Sequence, residues 1–116
     1  IILVEGIGGL MSPVSDDEYV ADLAHDFGFP LIIIAPNTLG VINQTLQTLI
    51  TASTFRDGLD VAGIVLNNRP DTRDSDDVSV QSNATELAAR CVPPVLATVG
   101  NDFDRKVDWI ALANRG

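Results

Sequence analysis

The sequence has few of the residue types that build nucleophilic and redox centres. Its 116 residues include one cysteine, Cys91, and one histidine, His25. A single cysteine excludes an internal disulfide and agrees with a reducing, cytoplasmic location. Because His25 falls on the polar side of a helical pattern, a Ser/His/Asp or Cys/His catalytic set is also excluded. Covalent catalysis by such a set is therefore not expected.

Basic residues are also scarce. Seven Lys and Arg residues face sixteen Asp and Glu residues, which gives a net charge of −9. A surface of this sign repels phosphate backbones and argues against a nucleic-acid partner. No apolar run approaches the roughly 20 residues of a membrane-spanning helix, so a membrane is not an expected partner either. An anionic small ligand is compatible with this charge if backbone amides or a metal offset it locally.

The sequence also lacks the phosphate-loop motif GxxxxGK[ST]. Its first residue is Ile1, which stands within an apolar run instead of ahead of it. Chain termini are usually exposed and polar, so a start inside an apolar run is unusual. This start predicts that the chain is the later part of a longer protein, and a processed N-terminus is the alternative.

Apolar runs alternate with helical patterns at a period near thirty residues. Unbroken runs rich in β-branched residues, with 46% hydrophobic residues overall, predict strands covered on both faces of a parallel sheet. The predicted strands are residues 1–4, 31–35, 61–66 and 95–99. Helices are expected after Ser15, over 41–56, around 84–91 and over 104–114, with a polar loop at 69–77. The fold class is therefore a single α/β domain over residues 1–116, a parallel sheet with flanking helices in three α/β/α layers.

The first predicted helix has the capping-box pattern of Ser15 and Glu18, in which each residue satisfies a free backbone amide. The periodicity of the second helix predicts an inner face made of Ile42, Leu46, Leu49 and Ile50.

Ligands of open parallel sheets bind beyond the carboxyl ends of the strands. Four segments of this sequence carry Gly, Asn, Asp or Glu at that position, namely 5–9, 36–40, 67–68 and 100–102. Each of them alone is equally well explained as an ordinary turn. Their occurrence after four successive strands favours a ligand site.

Glu5 is the most informative of these residues. A carboxylate directly after an apolar run and before Gly6, Gly8 and Gly9 needs a cation or hydrogen-bond donors. A carboxylate beside a phosphate-binding turn is a natural Mg²⁺ ligand, because Mg²⁺ takes one or two carboxylates together with phosphate oxygens. The structural alternative is an ion pair between Glu5 and an Arg or Lys.

Two further segments offer polar groups. Gly40 precedes a predicted helix whose free amides favour a carboxylate or phosphate, and Asn43 lies one turn inside that helix. The alternative is an ordinary capped helix. Asn67 presents a donor and an acceptor together, which suits the edge of adenine, although asparagine is also common in turns.

These motifs together resemble a known family. The segments VEGIGGLMSPVS, ADLA, FPLIIIA, LGVINQTL and VAGIVLN follow the order and spacing of dethiobiotin synthetase over roughly residues 1–100. The resemblance implies a P-loop NTPase-like, Rossmann-like fold, present here as a partial domain. It also implies an ATP- and Mg²⁺-dependent ligase that makes dethiobiotin from 7,8-diaminopelargonate and CO₂ in biotin biosynthesis.

The resemblance also implies roles for particular residues. Glu5 resembles the family's Mg²⁺ ligand, and the chain contains none of the family's catalytic residues. The residues that resemble the ATP and phosphate contacts are Glu5, Gly6, Ile7, Gly8, Asn67, Asn68, Gly100, Asn101 and Asp102. Those that resemble the contacts to a diaminopelargonate-like substrate are Gly8, Gly9, Leu39, Gly40, Val41, Ile42 and Asn43. Residues 39–43 resemble the helix start that binds the substrate's carboxylate, which in this family reaches across a homodimer interface.

The sequence departs from the family pattern in two places. Gln44 stands where the family often has histidine, and Gly100 stands where proline is usual. The phosphate loop and the catalytic lysines of the family belong to a preceding portion, so the chain by itself is expected to be inactive. Two alternatives stay open. One is a degenerate module for dimerisation or ligand sensing, and the other is an amide-forming ligase related to cobyrinate diamide synthetase.

Overall fold

The computed structural model of the chain describes residues 1–68 and 78–100. Three helices alternate with three strands along these residues. The elements are α1 (Val20–Phe27), β1 (Leu31–Pro36), α2 (Val41–Thr54), β2 (Val61–Asn67), α3 (Ser79–Arg90) and β3 (Val95–Val99). The three strands lie within one residue of their predicted bounds. The predicted loop at 69–77 and helix at 104–114 lie outside the described residues.

The three strands form one parallel sheet in the order β1-β2-β3. The central strand β2 buries five successive residues, from Ala62 to Leu66, because it is covered on both faces and paired on both edges. Helices α2 and α3 contact each other, and they pack on β1 and β3 respectively. The predicted parallel α/β class is confirmed. No helix in the described part of the chain is both long and apolar enough to cross a membrane.

The prediction of a strand at residues 1–4 is wrong for this structure. Ile1, Ile2 and Leu3 are 93%, 80% and 89% exposed, and the segment pairs with none of the three described strands. A β-branched apolar run has the side chains of a buried strand, but a strand forms only where a neighbouring backbone completes its hydrogen-bond ladder. Without that partner the segment stays irregular.

The predicted capping box is also wrong. Instead of starting a helix, Ser15 donates its backbone N–H to the carbonyl oxygen of Glu18 in a turn. An antiparallel bridge between Pro13 and Tyr19 closes a bend over residues 14–17, and Tyr19 itself is extended, so the helix begins only at Val20. Asp22 then provides one half of the reciprocal arrangement, because its Oδ2 accepts from the backbone N–H of Tyr19 at 2.8 Å.

Helix α2 buries a stripe that matches the predicted one only in part, because Ile42 packs against the core cluster as predicted and Ile50 does not. The buried residues of α2 are Val41, Thr45 and Ala52, whereas Ile50 is 63% exposed. Val41 belongs to the core cluster with Ala35, Leu66 and Leu87. The larger apolar residues lie to one side, where Leu46, Leu49 and Ile50 line an open groove of about 390 Å³ beside the end of α3. The prediction weighed side-chain hydropathy, whereas the packing places smaller side chains against the core.

Thr45→Val is expected to raise the free energy of unfolding by about 1 kcal/mol. Thr45 is 2% exposed, and its hydroxyl has no hydrogen-bond partner among the described residues. Valine keeps the shape and removes the desolvation cost of the hydroxyl. Denaturant unfolding measures the change. Thr54→Val is the matched control, because its exposed hydroxyl donates to Ile50. A gain in both variants, or in neither, would contradict this explanation.

A polar cluster joins α1 to the turn after α2. Arg56 donates through Nη2 to Asp22 and through Nη1 to Nδ1 of His25, the latter at 3.1 Å. Since Nδ1 then accepts, the proton of a neutral ring is on Nε2, which lies 2.7 Å from Oδ1 of Asp57. This hydrogen bond from His25 lowers the pKa of Asp57 below 3.8. The side chain of His25 is partly exposed, as predicted, and it is also hydrogen-bonded to a carboxylate.

His25→Ala is expected to bring the pKa of Asp57 back toward 3.8, because the main cause of its lowering is removed. A lowered native pKa stabilises the fold at higher pH, and the stabilisation is lost as pH falls through that pKa. The variant should therefore show a weaker loss of stability below about pH 3.8. Carboxyl NMR titration measures the pKa. Arg90→Gln removes a distant cation and should leave Asp57 unchanged, and equal shifts in both variants would refute the assignment.

Candidate functional site

The carboxyl ends of the three strands meet at one edge of the sheet. In the registers of the sheet, Asn67 lies opposite Pro36 on β1 and opposite Val99 on β3. The pairing continues beyond the strands, because the N–H of Asn37 donates to the carbonyl of Asn67 at 2.9 Å and the N–H of Asn68 donates to that of Val99 at 2.7 Å. The side chain of Asn67 is exposed at this edge. The structure therefore presents Asn67 where open parallel sheets bind ligands.

Asn68 is held at this edge by a buried amide group. Its Oδ1 accepts from Nδ2 of Asn37 at 2.8 Å, and Oδ1 of Asn37 accepts from Nδ2 of Asn83 at 2.9 Å. Sequence reasoning did not select Asn83. Its signal is its position four residues before Leu87, which places an amide on the buried face of α3.

Gly100 lies beside Asn68, and its backbone φ is outside the positive region that favours glycine. A Cβ added at Gly100 would lie 3.7 Å from the Cβ of Asn68, which is ordinary van der Waals contact. The departure from the family pattern at Gly100 therefore does not reflect a lack of space. The predicted ATP contacts Asn101 and Asp102 lie outside the described residues.

The predicted substrate segment forms the start of α2. Gly40 is its N-cap residue with φ 95°, a conformation that favours glycine, and no side chain caps the helix within the described ranges. In the first turn, the N–H of Val41 donates to the carbonyl of Thr38 at 3.2 Å, which leaves the N–H groups of Ile42 and Asn43 available to an anion. Leu39 and Asn43 are exposed and Ile42 is half-buried, whereas the side chain of Val41 is fully buried. The side chain of Val41 therefore cannot contact a ligand.

The segment 5–9 lies against α1. A Cβ at Gly6 would be 2.7 Å from Cγ1 of Val20, and Gly8 and Gly9 have φ of 93° and 108°. No hydrogen bond or ion pair between described residues joins this segment to Asn67 or Asn68. The structure therefore brings together the predicted residues that follow β1, β2 and β3. It leaves the predicted residues of the first segment exposed and without a hydrogen bond to that edge, namely Glu5, Gly6, Ile7, Gly8 and Gly9.

The donor set for a metal is small. Among residues 1–68 and 78–100, no group of three His, Cys, Asp or Glu side chains is placed to hold a metal ion. Glu5 is exposed and forms no ion pair with any described residue. Within these ranges, Glu5 therefore has no Arg or Lys partner of the kind that the structural alternative requires. One free carboxylate fits Mg²⁺ bound with a nucleotide, because that ion takes most of its ligands from phosphate and water.

Comparison with known proteins identifies the family. The family described as AAA domain matches residues 1–103. The ATP-dependent dethiobiotin synthetase of Rhodopirellula baltica is 35% identical over 108 residues, which cover 85% of this chain and 40% of that protein. The chain belongs to the dethiobiotin synthetase family. The ATP-dependent dethiobiotin synthetase of Anaeromyxobacter dehalogenans (strain 2CP-1) is 45% identical over 87 residues, covering 75% of this chain and 37% of that protein.

A third member of the dethiobiotin synthetase family, from Anoxybacillus flavithermus, is 46% identical over 67 residues, covering 57% of this chain and 29% of its own length. The chain thus spans about 40% or less of the length of these relatives. The resemblance that the motifs indicate is confirmed. The range matched by the family contains all four segments that the sequence predicts at the ligand edge.

Proposed function

We propose that this chain forms part of an ATP-dependent dethiobiotin synthetase and supplies base and substrate contacts to it. The observation that carries the proposal is that Asn67, Asn68 and the segment leading into α2 lie together at one edge of a parallel sheet. The family relationship supports it, because the relatives named above are ATP-dependent dethiobiotin synthetases. The proposed reaction joins 7,8-diaminopelargonate and CO₂ at the expense of ATP.

The proposed base contact is Asn67 with Asn68 beside it. The exposed amide of Asn67 offers an acceptor and two donors, which matches the paired donor and acceptor on the edge of adenine. Gly100 adjoins Asn68 and forms the far side of the same edge. Asn101 and Asp102 complete this proposed nucleotide contact.

The proposed substrate contact is the start of α2. The N–H groups of Ile42 and Asn43 and the helix dipole favour a carboxylate. This local potential matters in a chain of net charge −9, whose overall field repels an anion. Diaminopelargonate has such a carboxylate at one end. Gly8 and Gly9 are the proposed contacts at its reacting end.

Glu5 is the residue that would hold Mg²⁺, beside the backbone of residues 6–8 as the proposed phosphate contact. When bound, Mg²⁺ supplies positive charge that offsets the charge developing on the phosphates. The residues of this chain bind and orient the reactants. One amine of the substrate is carboxylated to a carbamate, whose oxygen attacks the γ-phosphate and displaces ADP. The second amine then attacks the carbamoyl carbon of the mixed anhydride, which closes the ureido ring and releases phosphate.

We also propose that the 116 residues are inactive by themselves and act together with a segment that carries a phosphate loop. The support is the missing GxxxxGK[ST] motif and the share of about 40% of the relatives' length. A homodimer in the cytoplasm is a further part of the proposal. Strand β1 lies at the edge of the sheet that the described residues form, and its Ile34 is 62% exposed, which supports association with another chain.

The test is ADP release and dethiobiotin formation by the full-length protein, measured with ATP, bicarbonate and diaminopelargonate. We expect product only when all three are present, and none from the 116-residue chain. Removing the main phosphate cradle of an enzyme costs at least about 100-fold in rate. Dethiobiotin formation by the 116-residue chain would refute the inactivity. ATP binding without turnover would favour a sensing module, and turnover with a cobyrinate would favour the amide-forming ligase.

A further inference from the structure

Two buried asparagines form a polar link between α3 and the edge of the sheet. Asn37 and Asn83 are each 2% exposed, although asparagine is usually a surface residue. Nδ2 of Asn83 donates to Oδ1 of Asn37 at 2.9 Å and to the carbonyl of Thr38 at 3.2 Å. Nδ2 of Asn37 donates to Oδ1 of Asn68 at 2.8 Å and to the carbonyl of Val80 at 3.3 Å. We call Asn83, Asn37 and Asn68 the amide relay.

The direction of the amide relay is fixed by two backbone carbonyls. A carbonyl oxygen only accepts, so the carbonyl of Thr38 requires the NH₂ group of Asn83 on its side. The carbonyl of Val80 places the same requirement on Asn37. Rotating either amide by 180° would set two oxygens against each other in a buried place, which is costly. The orientation of these two side chains is therefore determined by the backbone around them.

The orientation of these two amides determines which polar group Asn68 can offer to a ligand. Because Nδ2 of Asn37 points at it, Asn68 must turn its oxygen inward as the acceptor. Its own NH₂ group is then the part that it can offer to a ligand, and that group only donates. The backbone of Asn68 is fixed independently by its bond to Val99. The amide relay thus sets the chemical character of Asn68 without setting its position.

We propose that Asn83 and Asn37 are positioning residues that hold Asn68 as a hydrogen-bond donor toward an acceptor nitrogen of the purine base. This inference rests on the proposed function, in which Asn67 and Asn68 contact the base of ATP. Neither positioning residue touches the nucleotide. Their effect is on recognition of the base, so it should be absent for a ligand that has only phosphates.

The experiment compares ATP with inorganic tripolyphosphate, which lacks the base, in calorimetric titrations of the full-length protein. Asn83→Leu keeps the branched shape and removes the amide. It should raise the Kd of ATP about tenfold, the effect of about one net hydrogen bond, and leave the Kd of tripolyphosphate within about twofold. Gln81→Leu is the matched control, because Gln81 is an exposed amide on the same helix. It should change neither value.

A double-mutant cycle tests whether Asn83 acts through Asn68. In an Asn68→Ala background, Asn83→Leu should weaken ATP binding no further, because the residue that it orients is absent. Additive losses, or equal losses for ATP and tripolyphosphate, would overturn the inference. If Asn83→Leu does not fold, Asn83→Ala carries the same comparison. A full-length wild-type protein that binds tripolyphosphate but not ATP would instead refute the proposed function, and the inference with it.

Discussion

Glu5→Gln is expected to lower the rate of dethiobiotin formation by on the order of 100-fold at limiting Mg²⁺, the size of effect seen when one charge-stabilising group is lost from an active site. Glutamine keeps the size and the oxygen of Glu5 but removes the negative charge that a hard cation prefers. The exposed carboxylate has no ion pair with any described residue, so the substitution disturbs no structural contact there. The rate should partly recover when Mg²⁺ is raised, because the defect is in binding the ion.

The measurement is the Mg²⁺ dependence of turnover by the full-length protein, together with the affinity of Mn²⁺ for its ATP complex by electron paramagnetic resonance. Glu18→Gln is the matched control, since Glu18 is an exposed carboxylate in the same irregular region. The control should retain the wild-type Mg²⁺ dependence and Mn²⁺ affinity. Equal behaviour of the two variants would remove Glu5 from the proposed metal site.

Gly63→Ala is expected to reduce the free energy of unfolding by about 1–3 kcal/mol, the usual cost of overpacking a core. Gly63 is buried in the central strand β2, and a Cβ there would lie 2.5 Å from both Cγ and Cδ1 of Leu96. Leu96 belongs to the neighbouring strand β3, so it can escape only by changing its rotamer or by moving the strand. Position 63 therefore has no room for the Cβ of any other residue.

Leu96→Ala should relieve the loss when it is combined with Gly63→Ala. In a double-mutant cycle from denaturant unfolding, the two substitutions should be less harmful together than the sum of their separate effects. Gly100→Ala is the control, because its Cβ would meet only ordinary contact, and it should change stability by no more than about 0.5 kcal/mol. Additive effects of the first two substitutions would exclude the contact with Leu96 as the cause.

The sheet could be predicted from the sequence because each of its strands carries its own signal. The runs at 31–35, 61–66 and 95–99 are unbroken, apolar and bounded by turn residues, and all three are strands in the structure. The run at 1–4 has the same composition and is not a strand. Composition reports whether a segment suits a strand, whereas pairing depends on which backbone lies beside it, and the sequence pattern does not contain that information.

The candidate site was predictable to a similar extent. Asn67 ends β2 and Gly40 directly precedes α2, so these residues lie where the rule for the carboxyl ends of parallel strands predicts them. The buried side chain of Val41 and the link from Asn83 to Asn68 could not be foreseen. Both depend on how α2 and α3 rotate about their axes against the sheet. That rotation depends on a stripe of small side chains in α2 and on a single buried amide in α3. Both contribute little to a hydropathy pattern, so the periodicity does not reveal them.

The burial of Val41 has a mechanical consequence. The first residue of α2 is packed in the same core cluster as Leu66, the residue before Asn67. A close-packed interior transmits displacement, so the helix start and the end of β2 move as one rigid unit. In the proposed function, the distance between the base contact at the end of β2 and the substrate contact at the start of α2 is then set before either ligand binds, which saves the entropy of aligning the reactants. A closing motion around the ligands would therefore have to come, in the proposed function, from the exposed segment that carries Glu5.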